Sequence, residues 1–332
     1  MAESSGVMAY AEVSKDKLSP TTRELLGIGR KLADELGEPL CAVLAGDGVS
    51  SLADEAISLG ADRVYVIDDP LLKEYLSDSF TPVMERLAAE VSPRIILLGQ
   101  TDAGRDLAPR LAFRLKTAAT LDCVDLAIDA ASKRLLATRP VYGGNALATF
   151  TTATDPQIAT IRVKAFAAAT TDASRKGEVI KAEAGLEPSA VRTKVLERVV
   201  EEVEGLKLED AAIVVSGGRG IGGAEGFKQL EELAHLLKGA LGASRPPCDN
   251  GWVSELLQIG ITGKIIAPDL YIAVALSGSS QHLSGCSGSK NIVAINKDPE
   301  ANIFQAATYG VVGDWKKVIP ALTEKIKELT SG

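Results

Sequence analysis

Aromatic residues make up only 4% of this 332-residue chain, and histidine occurs twice. A surface that stacks nucleic-acid bases has little to work with at that level, so no nucleic-acid partner is expected. Positive charge is not in excess either: 36 Lys and Arg stand against 44 Asp and Glu, for a formal net charge of −8. That balance argues against general polyanion binding, while leaving room for a local anion site built from backbone N–H groups and one or two arginines. No apolar run approaches the roughly 20 residues of a membrane span, so the chain is not expected to be membrane-embedded. The four cysteines, Cys41, Cys123, Cys248 and Cys286, are far apart, with no CxxC pair and no His cluster beside them. Structural zinc and iron–sulfur ligation are therefore not expected, and free, mostly buried thiols are. The opening MAESSGVMAY is neither a secretory h-region nor an Arg-rich transit peptide, and with isolated thiols it points to a reducing compartment, the cytoplasm.

What is present is an α/β composition of 46% hydrophobic and 24% charged residues with 31 glycines, long enough for two domains or one large one. Strand and helix signals alternate. Val7 to Val13 reads as a strand, and Ser19 to Glu35 as a helix with Ser19 as N-cap and Pro20 at its first position. Strands follow at Leu40 to Leu44, Arg63 to Ile67 and Arg94 to Leu98, with helices at Ser50 to Leu59, Pro70 to Val91 and Ala103 to Leu115. This rhythm predicts a largely parallel, doubly wound sheet. From Thr120 to Val163 shorter β-branched runs around Gly143, Gly144 and Asn145 suggest antiparallel strands or a hairpin. Ala165 to Pro188 reads as irregular surface chain, and periodicity does not separate strand from helix over Val191 to Val203.

A boundary near Gly205 then divides the chain into residues 1–205 and 206–332. The second domain restarts with a strand at Ala211 to Val215 and a helix at Gly223 to Leu237. A short strand ends at Ala243, further strands lie at Leu270 to Leu276, Asn291 to Ile295 and Val311 to Val312, and a helix at Trp315 to Leu329 closes the chain. Each of the two apolar runs in the stretch Gln258 to Pro299 ends in small or polar residues, SGSSQH after the first and NKDP after the second. Parallel strands buried on both faces read this way, and ligands sit at their carboxyl ends. Gly218, Gly220 and Gly223 form a GxGxxG between a strand and a helix, which by itself suggests NAD on a helix N-terminus. The next strand ends in Ser244 and Arg245, however, where an acidic residue should grip the adenine ribose. Arg219 adds charge among glycines that let backbone approach a phosphate.

The blocks SGGRG (Ser216 to Gly220), GASR (Gly242 to Arg245), QIGITGK (Gln258 to Lys264), PDLYIAVALSG, QHLSG and IVAINKDPEANIFQAATYGVVGD occur in this order. In them the chain resembles the FAD-binding domain of the α subunit of electron-transfer flavoproteins, and the likeness extends more loosely into the first half. It implies two α/β domains, each a mostly parallel sheet flanked by helices, the C-terminal one a Rossmann-like FAD-binding domain and the N-terminal one pairing with a β subunit. It also favours a strand at Val191 to Val203 returning to the first domain. The implied site takes Ser244 and Arg219 to the pyrophosphate, Arg245 to the isoalloxazine, and Thr262, within Ile259, Gly260 and Ile261, to flavin N5. Ser277, Gly278, Ser279, Ser280 and Gln281 would wrap the ribityl chain and pyrophosphate, and His282, ordinarily near-neutral in pKa, would donate to O2. Asn296 would meet the adenosine side, with Asp314 and Trp315 closing that end, although Trp315 could equally be core.

Two departures stand out: Ile261, where glutamine is common, and Pro247 to Asn250, which brings in Cys248. For Arg105 and Arg139 of the first domain a buried-edge or subunit-contact role is the better reading. The implied activity is electron shuttling rather than substrate turnover, and no Ser/His/Asp set, paired-carboxylate site or metal site is evident. FAD would take electrons from a dehydrogenase, such as an acyl-CoA dehydrogenase of fatty-acid β-oxidation, and pass them to a quinone oxidoreductase or another acceptor. Bifurcation would depend on a second flavin expected in the β subunit. The rival readings are an NAD-dependent oxidoreductase, disfavoured by the missing acid, and a nonredox nucleotide-binding regulatory module.

Overall fold

The first strand, β1 (Val7–Tyr10), is apolar at every position because both of its faces are covered. Val7 and Ala9 enter one core layer with Leu25, Leu32 and Ile95, while Met8 and Tyr10 enter another with Phe80, Met84 and Leu107. The computed structural model describes residues 4–14, 16–144, 146–197 and 206–330. The chain divides into two compact units, one of residues 1–141 with 146–198 and the other of 142–145 with 199–332.

In the first unit β1 leads through a small antiparallel pair, β2 (Val13–Ser14) and β3 (Lys17–Leu18), into α1 (Pro20–Leu36). Ser19 caps α1, its hydroxyl accepting the Thr22 N–H at 3.1 Å, with Pro20 in the first turn. β4 (Leu40–Gly46), α2 (Ala53–Ser58), β5 (Arg63–Asp68), α3 (Ser77–Val91), β6 (Ile95–Gly99) and α4 (Asp102–Arg114) continue the alternation. Then come β7 (Ala119–Cys123), β8 (Asp125–Ile128), β9 (Leu135–Val141), β10 (Ala146–Phe150), β11 (Gln157–Ile161) and β12 (Glu178–Lys181). Seven of these make a wholly parallel sheet in the order β12-β5-β4-β1-β6-β11-β7, so the winding reverses between β1 and β6. The other three, β10-β9-β8, form an antiparallel sheet.

Four sequence expectations change here. The helix foreseen over 70–91 is broken: a 3-10 turn at Pro70–Leu72, capped by Asp69, is followed by α3 from Ser77. Leu76, at φ −133° and ψ 131°, is extended rather than helical, and Tyr75 is held against Phe80 at 5.1 Å between ring centroids. Only β8 to β10 of the 120–163 region are antiparallel, because β7 and β11 join the main sheet. Residues 178–181, foreseen as irregular, are the edge strand β12. Its side chains are mostly exposed, so it carries no hydrophobic alternation to read. Residues 191–197 form no strand, and the rest of that expected element, 198–203, lies outside the described residues.

The second unit is one five-stranded parallel sheet, β14-β13-β15-β16-β17. Its strands are β13 (Ile213–Gly217), β14 (Ala240–Ala243), β15 (Leu270–Val274), β16 (Asn291–Asn296) and β17 (Tyr309–Val312). Between them run α5 (Ala224–Leu236), the short α6 (Arg245–Asp249), α7 (Ser280–Cys286) and α8 (Ile303–Ala306), and α9 (Trp315–Thr330) closes the chain. Alternate strand residues feed two cores. Val214, Tyr271, Ala273 and Ile292 pack with Ile259 and Cys286, while Val215, Ile272 and Ile295 pack with Phe227, Leu230 and Trp315. The winding reverses between β13 and β15, which leaves a crevice at their carboxyl ends.

Candidate functional site

That crevice holds a cavity of about 620 Å³, within the range of small-molecule sites. It is lined by the turn Gly218 to Gly220 after β13, by Ser244 and Pro246 after β14, by Ala275 to Ser279 after β15 with His282 of α7, and by Asn296, Asp298 and Glu300 to Asn302 after β16. Every strand end in the wall is thus followed by small or polar residues, the signature seen in the sequence. Gly278 is required where it stands: φ is 78°, and a Cβ would lie 2.2 Å from the Ile303 backbone nitrogen. Asn296 ties two of the exits together, donating from Nδ2 to Leu276 O at 2.7 Å and accepting the Asp298 N–H at 3.0 Å. The Arg219 side chain is exposed and, among the described residues, makes no ion pair.

Of the residues singled out in the sequence, Arg219, Ser244, Ser277, Gly278, Ser279, His282 and Asn296 meet in this cavity. Ile259, Gly260, Ile261 and Thr262 are collected elsewhere, in a tight turn against the start of α7. There the Ile261 N–H donates to Gln281 O at 3.0 Å, and Thr262 Oγ1 accepts from Gln258 Nε2 at 2.9 Å. Ile261 and Thr262 are both exposed. α7 comes so close to this turn that a Cβ on Gly285 would lie 2.4 Å from Gly260 N. Ser280 and Gln281 open α7 just outside the cavity wall, and His282 belongs to both groups.

At three places the expected site residues make contacts that the sequence did not show. Arg245 is outside the lining, and its exposed guanidinium pairs with Asp249 at 3.2 Å, so it is not an unopposed cation. Asp314 and Trp315 are not among the residues that line the cavity, and Trp315 takes the core place that the sequence left open to it. Asp314 caps α9 by accepting the Lys316 N–H, while Trp315 is core and braces the glycine turn from behind, Nε1 donating to Gly220 O at 3.2 Å. The third concerns charge on His282. Only 4% exposed, it donates from Nδ1 to the carbonyl of Ile259 at 3.0 Å, and Nε2 lies 2.7 Å from the Tyr271 hydroxyl. Burial pushes its pKa down to about 4, with the Ile259 carbonyl opposing weakly, so the imidazole is neutral at pH 7.

Asp298, Glu300, Ala301 and Asn302 were not singled out, although they lie in the KDPEAN run that follows β16. The only signal was their position after a buried strand. The unusual Cys248 is buried on α6, and burial raises its pKa to about 11, so it is an unreactive thiol. Arg105 is exposed on α4, and Arg139 on β9 is half-buried, its Nε without a hydrogen-bond partner among the described residues. Among the described residues no group of three or more His, Cys, Asp and Glu could hold a metal, and no helix is long and apolar enough to cross a membrane.

A parallel sheet whose winding reverses beside a glycine turn and a polar-lined crevice defines a nucleotide-binding domain class. Residues 7–186 match the electron transfer flavoprotein domain family, and residues 207–287 the electron transfer flavoprotein FAD-binding domain family. An electron transfer flavoprotein subunit alpha from Thermoanaerobacterium thermosaccharolyticum is 48% identical over 97% of this chain and 98% of its own length. One from Megasphaera elsdenii is 44% identical over 99% and 98%, and a protein named FixB from Clostridium saccharobutylicum is 42% identical over 100% and 99%. The chain belongs to the electron-transfer flavoprotein α-subunit family: it is a flavoprotein electron-transport subunit, and a flavin is its implied cofactor.

Proposed function

We propose that the flavin is FAD, held at the β13/β15 crevice, and that the chain works as the α subunit of a heterodimer with a β subunit in the cytoplasm. Donors would be dehydrogenases, such as those acting on acyl-CoA, and the acceptor a quinone oxidoreductase or another redox protein. The observation that carries this reading is the cavity itself, where a glycine turn, an arginine with no ion pair among the described residues and the run Ser277 to Ser279 converge at a strand-order reversal. The donor set suits a dinucleotide. Arg219 and Ser244 would hold the pyrophosphate, Ser277 to Ser279 the adjoining chain, and Asn296 the adenosine side, with Asp298 and Glu300 supplying acceptors for sugar hydroxyls. The turn 259–262 and Gln281 would border the ring, with Thr262 beside N5 and Arg245 near enough to bias charge on it.

When bound, the flavin supplies the one- and two-electron chemistry. The chain's part is to orient it, to exclude water with the buried Leu276 and His282 of the cavity wall, and to set the local electrostatics. A visible absorbance spectrum and flavin count on the coexpressed α and β chains test the reading. Flavin bands at stoichiometric occupancy are expected, and a nicotinamide-only or ligand-free complex would overturn it.

A further inference from the structure

Gly218 and Gly220, in the turn after β13, are not held to glycine by their backbone: Gly218 has φ −102°, and in this turn only Gly222 and Gly223 have positive φ. Space is what requires them. A Cβ on Gly218 would lie 2.3 Å from the Ala275 carbonyl oxygen and 2.8 Å from Leu276 Cα, and one on Gly220 would lie 2.9 Å from Ala275 Cβ. The neighbour is the protein's own chain as it leaves β15. That strand pairs regularly to its end, Val274 O accepting the Gly218 N–H at 2.9 Å and the Ala275 N–H donating to Ile295 O at 2.8 Å. Ala275 then takes φ 52°, a left-handed conformation that residues with a side chain rarely adopt, and the chain crosses the glycine turn.

Beyond the crossing, the carbonyls of Leu276 and Ser277 are taken by Asn296 Nδ2 at 2.7 Å and by the Ile303 N–H at 3.2 Å. The N–H groups of Leu276, Ser277, Gly278 and Ser279 make no hydrogen bond among the described residues, and all four residues line the cavity. Successive backbone donors of this kind suit an anion. We infer that Ala275 is a positioning residue: its left-handed backbone, seated on Gly218 and Gly220, turns the donor run 276–279 toward the diphosphate of the bound dinucleotide. Gly218, its N–H spent on Val274 and its open face covered, serves this internal crossing rather than close approach of its own backbone to phosphate. The inference rests on the proposed flavin site and deepens it.

The experiment is ³¹P NMR of the FAD-loaded heterodimer together with titration of its apo form with FAD. Gly218→Ala, which drives a methyl against the Ala275 carbonyl, should shift the pyrophosphate resonances and raise the FAD dissociation constant about tenfold. Gly239→Ala makes a comparable clash, 2.5 Å from Ile213 O, at the opposite end of β13. It should lower the Tm to a similar degree and leave the phosphorus spectrum and the affinity at wild-type values. Equal effects of the two variants on spectrum and affinity overturn the proposal, since lost stability alone would then account for them. Position 275 supplies a second arm should Gly218→Ala not fold. Ala275→Gly keeps the left-handed conformation and should retain the wild-type spectrum and affinity, whereas Ala275→Val, β-branched and resistant to it, should lose about tenfold in affinity. That order reverses the preference of an ordinary strand residue, and valine binding FAD as well as alanine overturns the proposal. Arg219→Ala separates the two levels. Resonances that move with Arg219→Ala but with neither Gly218→Ala nor Ala275→Val remove the role of Ala275 and keep the flavin in the crevice. Resonances indifferent to all three place the flavin elsewhere, and both readings fall.

Discussion

In the proposed site Arg219 is the anchor of the dinucleotide, since it is exposed at the cavity rim and makes no ion pair among the described residues. A charge-assisted hydrogen bond to a phosphate contributes about 1.5 to 3 kcal/mol, so Arg219→Ala should weaken FAD binding roughly 10- to 100-fold in a titration of the apo-heterodimer. An unchanged affinity would mean that the guanidinium serves only solvent. Arg245 is a different case, because Asp249 already opposes it. Pairs this exposed are worth about 0 to 1 kcal/mol, so the carboxylate tempers the cation without neutralising it. Arg245→Ala should lower the potential of the flavin couple that creates negative charge, and Asp249→Asn should raise it; spectroelectrochemical titration reads both. Opposite signs are expected, and shifts of the same sign would remove Arg245 from the ring's surroundings.

At the scale of elements, the contact between α7 and the 258–264 turn depends on two glycines. Gly285→Ala would force a methyl to within 2.4 Å of Gly260 N, where backbone cannot yield as a side chain can. Overpacking of this kind costs about 1 to 3 kcal/mol, and the variant should show a matching drop in urea midpoint together with poorer flavin retention. Ser19→Ala, which removes the α1 cap, should cost about 1 kcal/mol and leave the flavin untouched. Comparing the two separates a site-forming contact from a merely stabilising one.

Two expectations concern the molecule as a whole. A subunit that is completed by a partner should gain stability from it by mass action, so the α chain expressed alone should melt lower and retain less FAD than the coexpressed pair. Equal melting and equal occupancy would argue against the heterodimer. The second follows from Glu12, at the reversal point of the seven-stranded sheet, where burial raises its pKa to about 7. The Thr101 hydroxyl, donating at 2.7 Å, opposes that rise and Asp102 adds to it. A carboxyl raised in the folded state binds protons more tightly there than in the unfolded chain. Its contribution to stability is therefore complete below about pH 4.5 and is lost as pH rises through about 7. Glu12→Gln keeps an acceptor for Thr101 and removes the titration, so its Tm should gain on the wild type between pH 5 and pH 8.

By itself the sequence determined the alternation of strands and helices, the Ser19 cap, and the crevice-lining turns after β13, β14, β15 and β16. These rest on local rules: buried parallel strands are continuously apolar, and the small or polar residues that follow them face a ligand. Its recurring blocks also marked the family. Only the tertiary structure decided which of these residues meet. The edge strand β12 carried no readable period, because a mostly exposed strand needs no apolar alternation, and the break before α3 came from Tyr75 packing on Phe80. Trp315 took the core place that the sequence had left open to it, Asp314 capped a helix, and Arg245 acquired a counter-charge one helical turn away. His282 changed most: a lone histidine reads as a group titrating near neutrality, and only the burial supplied by β15, α7 and the 259–262 turn makes it a neutral link between Tyr271 and a backbone carbonyl.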